Sequence, residues 1–184
     1  MKAANLYALG FILPTGALLI AAYGSLHGWS DFDAGFDWWV AGWRWVPGLI
    51  LGIVVHEALH GLAWKTAAKL PWSAISFGVN WKALTPYAHC NVPMPARAYR
   101  IGAATPGVVL GVVPVVVALA IGSGPWAVFG TFFTIAAGGD ALILWLIRNV
   151  PDSWLVEDHP TQAGCYVYVP DEAEQAVPDT EHAA

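Results

Sequence analysis

The sequence predicts an all-α membrane protein: a bundle of about four transmembrane helices, with a short β-hairpin or extended loop between the second and third. Three observations lead there. Of the 184 residues, 57% are hydrophobic and only 11% charged, against about 25% charged in ordinary soluble domains. So much apolar surface cannot be hidden inside a soluble domain of this size, and lipid must solvate it. Four apolar stretches approach the roughly 20 residues a helix needs to cross a bilayer. Finally, five of the eight basic residues, Lys65, Lys69, Lys82, Arg97 and Arg100, fall in one inter-span segment, which orients the chain.

The first stretch runs from about Asn5 to Leu26. A secretory leader is the competing reading of Met1–Leu26, but the apolar run is long and no clear A-x-A site follows it. The next segment, "HGWSDFDAGFDWWVAGWRW", combines Asp31, Asp33 and Asp37 with Trp29, Trp38, Trp39, Trp43 and Trp45. It reads as an acidic loop with an aromatic interface belt. The second span covers about Trp45 to Ala67. Beyond it, the basic segment contains Ile75, Phe77, Val79 and Trp81, spaced by two and bounded by prolines, a weak strand signal. The third span covers about Tyr99 to Ile121, interrupted by Pro106 and Pro114. The turn "GSGP", Gly122 to Pro125, leads into the fourth, about Trp126 to Ile147, followed by Arg148. The positive-inside rule places both termini and the Lys65–Arg100 segment in the cytoplasm. Residues 1–169 form one membrane domain in this reading. The acidic stretch 170–184, which lacks aromatics, reads as a disordered tail.

The net charge of -5 and the absence of a basic patch give no footprint for nucleic acid. Cys90 and Cys165 are too few for a disulfide framework and too far apart for a C-x-x-C pair. They read as free thiols.

The chemistry concentrates in the second span, where His56-Glu57-Ala58-Leu59-His60 matches H-E-x-x-H. On a helix, residues four apart share a face, so both imidazoles can bind one Zn²⁺. Glu57, one residue on, can act as general base toward a water activated by that metal. A charged group at mid-bilayer costs roughly 2.5 to 3.5 kcal/mol on insertion scales, so the cluster needs a compensating role. A polar packing cluster between helices is the plainer alternative.

A catalytic zinc usually has three protein ligands. Position 66, where a metzincin would carry its third histidine, is Thr66, and no Asp or Glu occurs between Glu57 and Asp140. Asp140 lies inside the fourth span, parallel to the second. His56 and His60 precede Lys65 by nine and five residues, and Asp140 precedes Arg148 by eight. At about 1.5 Å per residue the three fall in one slab near the cytoplasmic face. Gly138 and Gly139 would allow close helix approach there. Asp140 could instead be a buried partner for another polar group. His89 and Cys90 in "TPYAHC" are accessory candidates, for a second metal or as loop packing. Glu157, Asp158 and His159 in "VEDHP" could bind metal or serve as a cap and turn. His27 lies at the opposite end.

An H-E-x-x-H in one membrane helix with an Asp in a later, parallel helix resembles the site-2 protease group of intramembrane zinc metalloproteases. More closely, the chain resembles a prokaryotic family of membrane zincin peptidases. The likeness is carried in order by "HEALHG", "TPYAHC", "GGD", "VEDHP" and "GCYVY", over roughly Val46 to Val169. It implies His56, His60 and Asp140 as zinc ligands and Glu57 as the catalytic acid/base. The chain departs from site-2 proteases in lacking the Asn/Pro-rich pattern before the ligand Asp and any PDZ-like module.

The expectation is a membrane-embedded zinc metallopeptidase acting near the cytoplasmic interface on membrane proteins or peptides, with the Ile75–Trp81 segment holding substrate by strand addition. The alternative of another class is a non-catalytic metal-binding scaffold or an inactive relative. A metal transporter would need more polar residues along spans one and three.

Overall fold

The computed structural model describes residues 2–81, 85–159 and 164–170. Helices dominate: α1 (Lys2–His27), α2 (Trp29–Val40), α3 (Trp45–Ala67), α4 (Ala96–Pro106), α5 (Val113–Ile121), α6 (Gly124–Ala136) and α7 (Gly138–Leu146). The strands are β1 (Ile75–Asn80), β2 (Thr85–Cys90), β3 (Met94–Pro95), β4 (Leu155–Asp158) and β5 (Cys165–Tyr168). Most of the expected tail 170–184 lies outside the described residues, as do Lys82 and Pro160 of the motifs above.

The second predicted span is α3, continuous over 23 residues. Pro47 sits in its first turn, where a missing N–H costs nothing. Lys65 in the last turn complements the helix dipole. The third predicted span runs helically from Ala96 to Ile121, through a π-helical stretch at Gly107–Val112 that joins α4 to α5. That stretch falls between Pro106 and Pro114, the two residues that withhold N–H groups from the i→i−4 ladder. Gly122, at φ 66°, closes α5 in the left-handed conformation. The fourth predicted span is divided into α6 and α7, bent by 43° around Ala137.

Among the described residues, two helices, Trp45–Ala67 and Ala96–Ile121, are long and apolar enough to cross a membrane, and the bent α6–α7 pair would make a third. Only 22% and 28% of their apolar windows is buried inside the protein. Ile50, Leu51 and Val54 of α3 and Val108, Val112 and Val116 of the third segment face outward.

Two expectations need correction. The segment read as an acidic loop is mostly helical. Phe32, Gly35 and Trp39 recur at helical spacing and turn α2 inward, where Phe32 packs beside Tyr23 and Trp39 stacks on Phe129. Trp39 also donates its indole N–H to the Pro125 carbonyl at 2.8 Å. The second correction is an unforeseen sheet, β3-β4-β5, beside the expected β1–β2 hairpin. Val156, at the start of "VEDHP", pairs with Met94 on one side and Val167 on the other. The segment read as a cap and turn is therefore a central strand.

Two clusters of buried residues mark the two ends. At one, Tyr23, Ala118 and Ala127 pack with Phe32 and Leu119, and Tyr23 donates its hydroxyl to Asp31. At the other, Trp64, Ile75, Cys90, Met94, Tyr99, Ile147 and Val156 join α3, α4, α7, the hairpin and β4. Arg100 of α4 fastens that second end. It donates to the Ile147 carbonyl at 3.0 Å and to the Val150 carbonyl, and pairs with Asp152 at 2.5 Å. The groups it satisfies include a carbonyl just past the C-terminus of α7.

Glycines permit the tight contacts around α3. A Cβ on Gly102 would fall 2.0 Å from Trp64 Cδ1, and one on Gly61 would fall 2.5 Å from Phe77 Cζ. Gly139 differs from its expected role, since a Cβ there would meet nothing within 4 Å. Gly102→Ala should therefore cost about 1–3 kcal/mol by overpacking, while Gly139→Ala should be neutral or slightly stabilising through helix propensity. Thermal melts of the purified variants in one detergent check this. Equal melting temperatures for the two would contradict the packing described.

Candidate metal centre

His56, Glu57 and His60 stand in the C-terminal half of α3, and Asp140 in the first turn of α7. The bend at Ala137 lets a new helical segment begin at Gly138, two residues before Asp140, and brings that carboxylate to α3. His56 Nε2 lies 3.2 Å from Asp140 Oδ2, and His60 Nε2 lies 3.4 Å from Asp140 Oδ1. One ligand atom from each of the three lies within 4.8 Å of the others. The imidazoles meet nearly edge to face, at 78°.

These separations test whether a metal fits. Ligand atoms about 2.0–2.1 Å from a tetrahedral Zn²⁺ stand about 3.3 Å apart. The two N···O distances, 3.2 and 3.4 Å, run to different oxygens of Asp140, and one atom from each residue lies within 4.8 Å of the others, close enough for the three to share an ion. The donor set, two imidazoles and one carboxylate, is a common one for catalytic zinc.

The ring orientation of His60 is imposed from α4. His60 Nδ1 lies 3.0 Å from the Gly102 carbonyl, so this nitrogen donates and Nε2 keeps its lone pair for the cluster. That carbonyl is available because its partner in a regular α-helix would be the N–H of residue 106, which is Pro106. Trp64, one turn beyond His60, stacks on its ring at 5.3 Å and 18°, and is itself stacked on Tyr99. Its indole N–H donates to the Tyr99 carbonyl at 3.2 Å.

Glu57 stays outside the three-ligand cluster. Its Oε2 accepts the Ala88 N–H of β2 at 2.6 Å.

The other sequence candidates are placed elsewhere. His89 Nδ1 faces Asp158 Oδ2 at 3.7 Å. Cys90 is fully buried, with its N–H donating to Asp158 Oδ2 at 3.0 Å and its thiol to the Val92 carbonyl at 3.4 Å. Burial pushes the Cys90 thiol up, and Cys165 likewise. Glu157 accepts a hydrogen bond from Tyr168, and His159 stacks on Tyr166. His27 bonds the Leu119 carbonyl at 2.9 Å, at the far end. Sequence reasoning missed Gly102, Trp64 and Ala88. Only Gly102 left a local signal, a glycine four residues before a proline in a membrane helix.

Residues 49–155 match a protein-family model described as "Putative zincin peptidase". The chain belongs to this family. The description is that of a zinc-peptidase family, and the His56, His60 and Asp140 group could hold such a metal. The matched region contains H-E-x-x-H and Asp140 and ends at the start of β4. Among curated proteins, the chain is 29% identical over 116 residues to an "Uncharacterized 24.7 kDa protein in gap 5'region" from Pyrococcus woesei, covering 61% of this chain and 50% of that relative. The chain thus spans about half the length of the curated relative it matches. No solved structure matches it.

If the zincin site is the three-residue cluster, purified protein should carry about one zinc per chain, and Asp140→Ala should lose most of it. Elemental analysis of both proteins in detergent decides. Full zinc in Asp140→Ala would remove Asp140 from the ligand set.

Proposed function

We propose that this zincin peptidase is membrane-embedded and hydrolyses peptide bonds of membrane proteins or membrane-associated peptides near the cytoplasmic interface. In this reading His56, His60 and Asp140 hold the zinc and Glu57 is the catalytic acid/base. The observation that carries it is the clustering of the three donors at ligand spacing, with a separate carboxylate, Glu57, on the adjoining face of the same helix.

Zinc bound there would supply Lewis acidity toward a peptide carbonyl and toward water. The chain supplies the rest. Glu57, its orientation fixed by the Ala88 amide, takes the proton from the attacking water and delivers it to the leaving amine. Gly102 holds His60 in the tautomer that presents Nε2. The substrate must be extended at the scissile bond, and the hairpin offers a strand edge to hold it. On β2, the outward amides of Ala88 and Cys90 are taken by Glu57 and Asp158, and Pro86 has none. The β1 edge remains. Ala88 is opposite Phe77, so the same alternation turns the backbone groups of Phe77 and Val79 away from β2. A substrate strand adds there.

Four spans with both termini cytoplasmic complete the reading. It is supported by the separation of ends: α2 meets the start of α6 at Pro125, while both sheets and Arg100 lie with the last turn of α3 and the end of α7. Exposed Trp29, Trp38 and Trp43 then sit at the outer headgroup level.

Two measurements test this. Glu57→Gln keeps shape but cannot accept the proton. It should retain zinc and lose cleavage roughly 100-fold or more, read by comparing membrane proteomes of a deletion strain complemented with each form. Full complementation by zinc-loaded Glu57→Gln would make the metal structural. In a variant lacking the native cysteines, a membrane-impermeant thiol reagent should label cysteines placed at Asp33 and at Ser123, beside Gly124, from outside, but not at Lys82 or in the tail. Labelling at Lys82 from outside would reverse the orientation.

A further inference from the structure

Asp158 has no part in the reaction described, yet it is tied to both halves of the site. Its side chain is only 13% exposed. Oδ1 accepts the Tyr99 hydroxyl at 2.5 Å, and Oδ2 accepts the Cys90 N–H at 3.0 Å and faces His89 Nδ1 at 3.7 Å. The first bond leads to the metal ligands: the Tyr99 ring stacks on Trp64 at 5.7 Å, and Trp64 on His60 at 5.3 Å. The second leads to the base. Two residues before Cys90 on the same strand edge is Ala88, whose N–H holds Glu57.

We propose that Asp158 is a positioning residue for the zinc site, fixing the plane of the His60 ring through Tyr99 and Trp64, and the place of the Ala88 amide, hence of Glu57, through β2. The proposal rests on His60 being a zinc ligand. Stacked rings slide across one another at little cost, so a stack defines an orientation only when its far end is tethered. The Tyr99 hydroxyl bond to Asp158 is that tether. A single carboxylate, with two acceptor oxygens, can hold a side chain of α4 and an amide of β2 together. This gives the "VEDHP" motif a task that neither a turn nor a second metal provides.

The test uses the full chain in detergent, stripped of metal and titrated with Co²⁺, whose visible absorption reports the geometry of its ligands. Tyr99→Phe keeps the stack and removes only the tether, and Asp158→Asn removes the charge. Loss of such an outer partner typically weakens metal binding 10–100-fold, so both variants should bind Co²⁺ about 10-fold or more weakly, with an altered visible spectrum. Glu157→Gln, one residue away on β4 and bonded instead to Tyr168, should match wild type. If Tyr99→Phe and Asp158→Asn melt earlier but bind Co²⁺ with wild-type affinity and spectrum, Asp158 is structural only and the proposal fails. Tyr99→Phe decides alone should Asp158→Asn not fold. Wild type that takes up neither Co²⁺ nor Zn²⁺ would instead overturn the metal site itself.

Discussion

The site depends on a hydrogen bond that a helix does not make. Pro106 brings no N–H to the ladder, and the Gly102 carbonyl one turn earlier is free to accept the His60 Nδ1 proton. An imidazole has two nitrogens and one proton when neutral, so fixing the donor fixes the acceptor. The same glycine lacks the side chain that would collide with Trp64, and without that room the ring stack on His60 could not form. One position on α4 therefore sets both the tautomer and the tilt of His60 on α3. Arg100, half a turn earlier on α4, grips the chain just past the end of α7, the helix that carries Asp140. The three donors come from two helices, but a third holds them in register.

The buried polar groups follow one rule. Among the described residues near Trp64, each carboxylate drawn into the protein faces polar groups from a different element. Asp140 faces the α3 histidines, Glu57 the β2 amide, and Asp158 both Tyr99 and Cys90. An unpartnered carboxylate in such surroundings is costly. These contacts offset that cost and also tie the sheets to the helices, so fold and site share the same bonds. The surfaces of α3 and of the third helical segment obey the opposite rule. They are apolar outward, as lipid solvation requires.

What was legible in the sequence was what periodicity and spacing encode over one turn or one span. The limits of α3, the H-E-x-x-H face and the common depth of His56, His60 and Asp140 could all be read by counting residues, and the structure places those side chains together. What escaped depended on partners far along the chain. The strand character of Leu155–Asp158 appears only when Met94 and Val167 flank it, because four residues carry too little pattern. The bend at Ala137 had no proline to announce it. The hold on Glu57 by Ala88 is a backbone contact and leaves no trace in residue identity. The helical spacing of Phe32, Gly35 and Trp39 was present but was outweighed by the acidic residues between them.

The bend between α6 and α7 has a mechanical meaning. Bilayers differ in thickness, and a helix meets the difference by tilting. A straight span carrying Asp140 would transmit every change of tilt to the carboxylate. Here the lever is cut three residues ahead of it, at Ala137, and the inner piece is fastened to α4 through Arg100. The outer piece packs with α2 at the other end, through Trp39 and Phe129. The bend thus separates the packing of α6 on α2 from the fastening of α7 to α4, so that a tilt of the first piece need not be passed on to Asp140.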